Sequence, residues 1–115
     1  MTLTLYGLKN CDSCKKAQKA LEAVGIAVTF HDVRSDGVSD DQLARWLNAA
    51  GREALVNTRS TTWRGLSEAE RAINDDEDAQ RLLSLHPTLI KRPVIEFHDK
   101  ISVGWRKGQE EEYLD

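Results

Sequence analysis

The fold is decided by residues 1–32, which read MTLTLYGLKNCDSCKKAQKALEAVGIAVTFHD. Leucine alternates with threonine over residues 2–5, which predicts a short β-strand that ends in a turn at Tyr6-Gly7. Apolar residues then recur at helical spacing from Ala17 to Val24, and Gly25 closes the helix. Residues 26–32 are β-branched and aromatic, so they predict a second strand. Two strands joined through a helix are expected to lie parallel in a right-handed crossover.

The middle of the chain predicts helices. Ser39 with Gln42 forms a capping-box pattern that opens an apolar stripe ending at Gly51. A second capping box at Ser67 predicts a short helix through about residue 73, and a further helix begins near residue 75 and stops at His86-Pro87. Residues 55–65, LVNTRSTTWRG, show no clear periodicity and are predicted to form an ordered loop.

The last third predicts two paired strands and a helix. Residues 94–97 (VIEF) form a strand, residues 98–100 a tight turn, and residues 101–103 a strand that pairs back antiparallel. A last helical segment is predicted from about residue 108 to residue 114. The order βαβ, helical block, ββα therefore predicts an α/β fold with a mixed four-stranded sheet and an inserted helical block.

Composition narrows the class of protein. At 115 residues the chain has room for one compact domain, and 40% hydrophobic with 30% charged residues is typical of a folded globular protein. No apolar run approaches the roughly 20 residues needed to span a bilayer. Sixteen Lys and Arg against 19 Asp and Glu give a net charge of -3, which argues against direct nucleic-acid binding. The start of the chain lacks the pattern of a secretion signal, so we expect a cytoplasmic protein.

The two cysteines carry the chemical signal. A disulfide between Cys11 and Cys14 would close too short a loop to stabilise a small secreted fold. Without further Cys or His partners, the two cysteines also lack the ligands for a metal site. In a CxxC motif that follows a strand and opens a helix, the unpaired N–H groups at the helix start stabilise a thiolate at Cys11. Lys9 and two further lysines add positive potential, while Cys14 lies one turn inside and is expected to be less exposed.

Arg92-Pro93 is the second signal. Proline lacks an N–H, so it belongs at the start of a strand or at a sheet edge, and the residue types alone leave the isomer of this peptide bond open. The guanidinium of Arg92 is a planar donor fork suited to a carboxylate or oxyanion. The sequence thus predicts an anion-binding group directly before the third strand.

Four stretches together resemble the ArsC/Spx/YffB family, which consists of arsenate reductase-related proteins. They are YGLKNCDSCKKA (6–17), ALVNTRSTTWRGL (54–66), HPTLIKRPV (86–94) and VGW (103–105). The resemblance covers essentially the whole chain, and the first two stretches are most similar to the YffB-like branch. It implies a thioredoxin-like fold in a single ArsC-like domain over residues 1–115, with residues 1–34 and 88–115 as its core and residues 38–87 as a helical insertion.

The resemblance also implies roles for particular residues. The family's nucleophile falls on Cys11, and the arginine before its cis-proline falls on Arg92, with Pro93 facing the cysteine. An arginine after the last strand falls on Arg106, and Arg92 and Arg106 would surround an anion bound at the thiolate. Arg59 lies in the inserted loop where the family has a third anion-binding arginine, although not at the same position.

Two departures from arsenate reductases bear on function. Those enzymes carry a histidine four residues before the nucleophile, where this chain has Gly7, and they usually lack a cysteine at the position of Cys14. The resemblance therefore favours a thiol–disulfide oxidoreductase that uses glutathione as co-substrate, with no bound cofactor or metal. The mixed disulfide on Cys11 is resolved either by Cys14 or by glutathione.

Two alternative functions stay open. One is arsenate reduction linked to glutathione and glutaredoxin, with arsenate as the bound anion. The other is an Spx-like regulator that binds RNA polymerase through protein contacts and uses CxxC as a redox switch.

Overall fold

The computed structural model describes residues 2–114, with Thr2 described for its backbone only. The chain divides into two compact units. The sheet unit contains the chain up to Asp36 and again from Arg92 onward, whereas the helical unit is Gly37–Lys91.

The sheet unit is built on a mixed four-stranded sheet. Its strands are β1 (Thr2–Gly7), β2 (Ala27–Asp32), β3 (Val94–Phe97) and β4 (Lys100–Val103). They lie in the order β2-β1-β3-β4, with β1 parallel to β2 and antiparallel to β3, and with β3 antiparallel to β4. The predicted mixed sheet and the parallel pairing of the first two strands are therefore confirmed.

Helix α1 (Asp12–Ala23) covers one face of this sheet. Its buried residues are Cys14, Ala17 and Leu21, three positions on one helical face. They pack in one cluster with side chains of β1, β3 and the C-terminal segment, namely Leu3, Leu5, Ile95, Phe97 and Tyr113. Burial of each large apolar side chain stabilises by about 1.5–3 kcal/mol, so this cluster holds α1 against the sheet.

The C-terminal segment completes the core as a 3₁₀ helix (Gln109–Tyr113) rather than as a regular α-helix. Tyr113 stacks edge-on against Phe97 with ring centroids 5.5 Å apart, and its hydroxyl lies 2.8 Å from Ser102 Oγ. These contacts tie the end of the chain to strands β3 and β4.

The helical unit contains five α-helices in its described residues. They are α2 (Asp40–Ala50), α3 (Arg52–Leu55), α4 (Thr61–Arg64), α5 (Glu68–Arg71) and α6 (Asp76–Leu85), followed by a 3₁₀ turn at Pro87–Leu89. Both predicted capping boxes are confirmed, at Ser39 and at Ser67. The predicted loop over residues 55–65 is wrong in part, because it contains α4 and the end of α3. Helices of four residues are too short to show a period in the sequence.

The core of the helical unit forms where α2 packs against α6. Trp46 on α2 is fully buried there, as are Leu43 and Leu83. No helix formed by residues 2–114 is both long enough and apolar enough to cross a membrane.

Candidate active site

Cys11 lies at the junction of β1 and α1, as the N-cap residue of the helix. Its own N–H donates to the Leu8 carbonyl at 3.1 Å, and its carbonyl accepts from Lys15 N–H at 3.0 Å, so the turn before the helix is closed on both sides. The side chain is half-buried. The sulfur is thus held beside the first turn of α1, where backbone N–H groups have no partner within the helix.

The surroundings of Cys11 favour its thiolate. Burial by itself raises the pKa of the thiol, but hydrogen bonding from the backbone N–H and the thiol of Cys14, and from the guanidinium of Arg92, outweighs burial. The positive charge of Arg92 acts in the same direction. The net result is a pKa below the ordinary value of 9.0, as expected for a nucleophilic cysteine.

Cys14 has the opposite character. Its side chain is 1% exposed and belongs to the core cluster of the sheet unit. Burial and the neighbouring Cys11 sulfur together raise the pKa of this thiol to about 12. Both cysteines are free thiols in this structure. At neutral pH Cys14 is therefore a neutral group that stabilises the Cys11 thiolate.

The space for the Cys14 sulfur exists because residue 7 is glycine. A Cβ atom at Gly7 would lie 2.3 Å from Cys14 Sγ and 3.2 Å from Cys14 Cβ. Any side chain at this position would displace the sulfur that supports Cys11. Gly7 and Cys14 are the two departures from arsenate reductases noted in the sequence. They depend on each other, because the glycine leaves the space that the Cys14 sulfur occupies.

Arg92 and Pro93 lie directly before β3. The peptide bond between them is cis, as the family resemblance implied. Pro93 is buried and its carbonyl accepts from Gly104 N–H at 2.8 Å, which fixes this turn to the end of β4. Arg92 is half-buried and contacts Cys11. The structure therefore brings Cys11, Cys14 and Arg92 together.

The other predicted anion-binding residues are placed differently. Arg106 is exposed and forms an ion pair with Glu112, and Lys9 is also exposed. Arg59 belongs to the helical unit, where its carbonyl accepts from Arg64 Nη2 at 2.9 Å. Roles for these three residues at the thiolate stay predictions.

Asp32 supports the site from the end of β2, and sequence reasoning missed it. It is buried, and its carboxylate accepts from the N–H groups of Arg34 (2.8 Å), Ser35 (2.9 Å) and Lys9 (3.3 Å). The hydrogen bond from Ser35 N–H does most to lower the pKa of this carboxyl. The contact with Lys9 ties the turn that leads to Cys11 to the end of β2. The sequence did contain a signal for this role, namely an acidic residue at the end of the second predicted strand, next to β1.

No group of three His, Cys, Asp or Glu side chains between residues 2 and 114 is arranged to hold a metal ion. The chemistry that the described arrangement supports is that of a stabilised thiolate beside a guanidinium. Such a thiolate is suited to nucleophilic attack on a sulfur atom of a disulfide or on the central atom of an oxyanion.

A cysteine at the start of the first helix, together with a cis-proline directly before β3 of the mixed sheet, defines a thioredoxin-like α/β protein. Residues 6–114 match the model of the ArsC family, and the chain belongs to that family. A relative, the global transcriptional regulator Spx of Bacillus subtilis (strain 168), is 28% identical over 114 residues. The match covers 97% of this chain and 86% of that protein.

Two solved structures are similar over nearly their full length. The structure of a protein named YffB has a TM-score of 0.92 and 35% identity, covering 98% of this chain and 99% of that one. An arsenate reductase (ArsC) related protein from Brucella melitensis is 41% identical, with a TM-score of 0.77, covering 99% of this chain and 95% of that one. Membership of this family supports a redox-related role.

Proposed function

We propose that the protein is a thiol–disulfide oxidoreductase of the cytoplasm, with Cys11 as nucleophile and glutathione as co-substrate. The observation that carries the proposal is the contrast between the two thiols of the CxxC motif. Cys11 is half-exposed with a lowered pKa, whereas Cys14 is buried with a pKa of about 12. This contrast is what a single nucleophilic sulfur requires, because the thiolate is the reactive form.

In the proposed reaction the Cys11 thiolate attacks one sulfur of a disulfide. A new bond forms from Cys11 to that sulfur, the original S–S bond breaks, and the released thiolate takes a proton from water. Arg92 keeps Cys11 ionised before attack and then offers its donor fork to an anionic group of the bound partner.

Resolution of the mixed disulfide is assigned to glutathione rather than to Cys14. Part of the elevation of the Cys14 pKa comes from the Cys11 sulfur, but burial is its largest cause and persists when Cys11 is bonded. A buried neutral thiol attacks slowly near neutral pH, whereas free glutathione reaches the half-exposed Cys11 from solvent. Glutaredoxin is the candidate partner that would remove the glutathionyl group from Cys11.

The test is mass spectrometry of the reduced protein after exposure to oxidised glutathione. We expect one glutathionyl adduct, on Cys11, in the wild type and in Cys14→Ser, and no adduct in Cys11→Ser. Glutathione-dependent thiol transfer follows the same pattern. The proposal is wrong if Cys11→Ser retains full thiol-transfer activity, and an internal disulfide without adduct would instead assign resolution to Cys14.

Arsenate reduction is the competing enzymatic function, and Gly7 counts against it because it replaces the histidine of arsenate reductases with a residue that cannot assist the nucleophile. Turnover of arsenate with glutathione and glutaredoxin would reverse this preference.

The similarity to Spx, together with the CxxC motif, favours one further function, redox-dependent contact with RNA polymerase. A pull-down with reduced and with oxidised protein tests it, and retention of polymerase in one redox state only would support the regulator.

A further inference from the structure

The exposed lysines of α1 differ in where they lie around the helix. Lys15 and Lys19 follow Cys11 at intervals of four residues, so these three residues share one flank of α1. Lys16 lies on the other flank, where it lines a groove of about 450 Å³ together with Lys107 of the C-terminal segment. Of the lysines of α1, Lys15 and Lys19 therefore lie on the side of the nucleophile.

Lys15 is fixed one helical turn from Cys11. Its N–H donates to the Cys11 carbonyl at 3.0 Å. A rise of about 1.5 Å per residue places Lys15 about 6 Å along the helix axis from Cys11, and Lys19 about 12 Å along it. Lys15 is thus the lysine of this flank that lies nearest to the nucleophile.

The Cys11 sulfur is closed by protein on one side and open on the other. Cys14 and Arg92 contact it, and Cys14 is 1% exposed within the core cluster of the sheet unit. Around the helix, Cys11 lies between this buried cysteine and Lys15, which is exposed. A disulfide that arrives from solvent therefore approaches the half-buried sulfur on the side where Lys15 lies.

The charge of Lys15 is available to such a molecule. Lys15 forms no ion pair with any residue between positions 2 and 114. Asp12, the acidic residue of the first turn, precedes Lys16 by four residues and so lies closer to that lysine around the helix. Arg92 adds a second positive charge at the sulfur itself. The charges nearest the open side of the sulfur are therefore mainly positive.

We propose that Lys15 gives Cys11 a preference for disulfides of net negative charge, an inference that rests on the proposed function of Cys11. Each half of oxidised glutathione carries two carboxylates and one ammonium, so this disulfide belongs to the preferred class. In the exchange, Cys11 forms a bond to one sulfur, the S–S bond breaks, and the released thiolate takes a proton from water. Lys15 takes no part in these bonds. Its ammonium attracts the incoming anion, whereas Arg92 acts on the thiolate.

The test compares three small disulfides that differ in charge. They are 3,3′-dithiodipropionate, an anion, bis(2-hydroxyethyl) disulfide, which is neutral, and cystamine, a cation. Adduct formation on Cys11 is followed by mass spectrometry of quenched samples at about 0.1 M salt, where charges interact over about 10 Å. For Lys15→Gln we expect the rate with the anion to fall about twofold to fivefold and the rate with the cation to rise by a similar factor. The rate with the neutral disulfide is expected to be unchanged.

Lys16→Gln is the matched control, because it removes the same charge from the neighbouring exposed residue on the other flank. We expect its ratio of anionic to cationic rates to stay within about 1.5-fold of the wild-type ratio. Lys19→Gln, farther along the flank of Cys11, should give an effect between the two. Lys15→Arg keeps the charge and should keep the preference. At about 1 M salt, where the screening length is about 3 Å, the wild type and Lys15→Gln should show the same ratio.

The three disulfides separate charge selection from a change in the thiol itself, because a shift in the pKa of Cys11 alters all three rates in the same direction. Lys15 does not set the preference if Lys15→Gln changes the three rates alike, or if Lys16→Gln shifts the ratio as much. In either case Cys11 remains the nucleophile. If the wild type forms no adduct on Cys11 with any of the three disulfides, the proposed function itself is wrong.

Discussion

Gly7 and Cys14 form the closest packing constraint at the site, because an added Cβ would lie 2.3 Å from the Cys14 sulfur. We expect Gly7→Ala to displace that sulfur and to raise the pKa of Cys11, since the backbone N–H and thiol of Cys14 both help to lower it. Alkylation of Cys11 by iodoacetamide at pH 7 should slow about threefold to tenfold. Overpacking should also lower the free energy of unfolding by about 1–3 kcal/mol.

Gly65→Ala is the matched control for this change. A Cβ at Gly65 meets its nearest atoms, two backbone carbonyls, at 3.6 Å, which is ordinary contact. We expect its effect on unfolding to stay within about 0.5 kcal/mol. The double variant Gly7→Ala/Cys14→Ala should recover part of the lost stability but not the low pKa of Cys11. Additive effects of the two substitutions would contradict the proposed clash.

At the scale of single residues, the sequence predicted those site residues whose role follows from residue type and spacing alone. Cys11 and Cys14 followed from CxxC, and Arg92 from its position before a proline. In the sequence, Gly7 stood out only because arsenate reductases have a histidine at this position. Its structural role depends on the Cys14 sulfur, for which it leaves space. Such a role needs the three-dimensional distance to Cys14.

Among the elements, the ends of β1 and β2 hold the turn before Cys11, and Asp32 is the residue that joins them. Replacement by Asn removes one of the two carboxylate oxygens and sets an NH₂ group against a backbone N–H donor. We therefore expect Asp32→Asn to lower the free energy of unfolding by about 1–3 kcal/mol, measured by urea denaturation at pH 7. Asp99→Asn, in the exposed turn between β3 and β4, is the control and should have little effect.

The pH dependence of this difference has a defined sign. Hydrogen bonds from backbone N–H groups, that of Ser35 first, lower the pKa of Asp32 below its ordinary value of 3.8. The native state then favours the carboxylate, so the stabilisation is fully present above pH 3.8 and is lost as the pH falls through the native pKa. The difference between wild type and Asp32→Asn should shrink in acid. A difference that is constant down to pH 2 would contradict this role.

The elements themselves were predicted where their periods are long enough to see. β1, α1 and β2 each carry several apolar residues in one period, and the two capping boxes mark the starts of α2 and α5. The four-residue helices α3 and α4 could not be predicted this way. Ser60 stabilises α4 by accepting from Trp63 N–H at 3.1 Å, a local contact that residue types alone do not distinguish from a turn.

For the whole molecule, the fold was predictable because local patterns and topology rules agree, whereas the groove lined by α1 and by the segment after β4 was not. Its two lysines lie on segments that are distant along the chain, at residues 16 and 107. Only the packing of the C-terminal segment on the cluster that contains α1 brings them to one surface.

The two thiols also make the stability of the whole molecule depend on pH in the alkaline range. Because burial, followed by the Cys11 sulfur, raises the pKa of Cys14 from 9.0 to about 12, the native state keeps this proton where the unfolded chain releases it. Rising pH therefore favours unfolding between pH 9 and about 12, by up to about 1.4 kcal/mol per pH unit.

Urea denaturation of the wild type and of Cys14→Ala from pH 8 to pH 11 isolates this contribution. Most other groups titrate alike in both proteins, and well above pH 9.0, where Cys11 is ionised in the native and in the unfolded state, the difference between the two curves reports the thiol at residue 14. The variant loses packing and is less stable at pH 8, and the gap should close as the pH rises above 9. Cys11 contributes with the opposite sign, because its pKa is lowered in the native state: its contribution to stability rises with pH until the unfolded thiol has also ionised, above its ordinary pKa of 9.0, and is constant beyond that. Parallel curves over the whole range would mean that Cys14 ionises as readily in the native state as in the unfolded chain, and Cys14 would then be available to attack a mixed disulfide on Cys11.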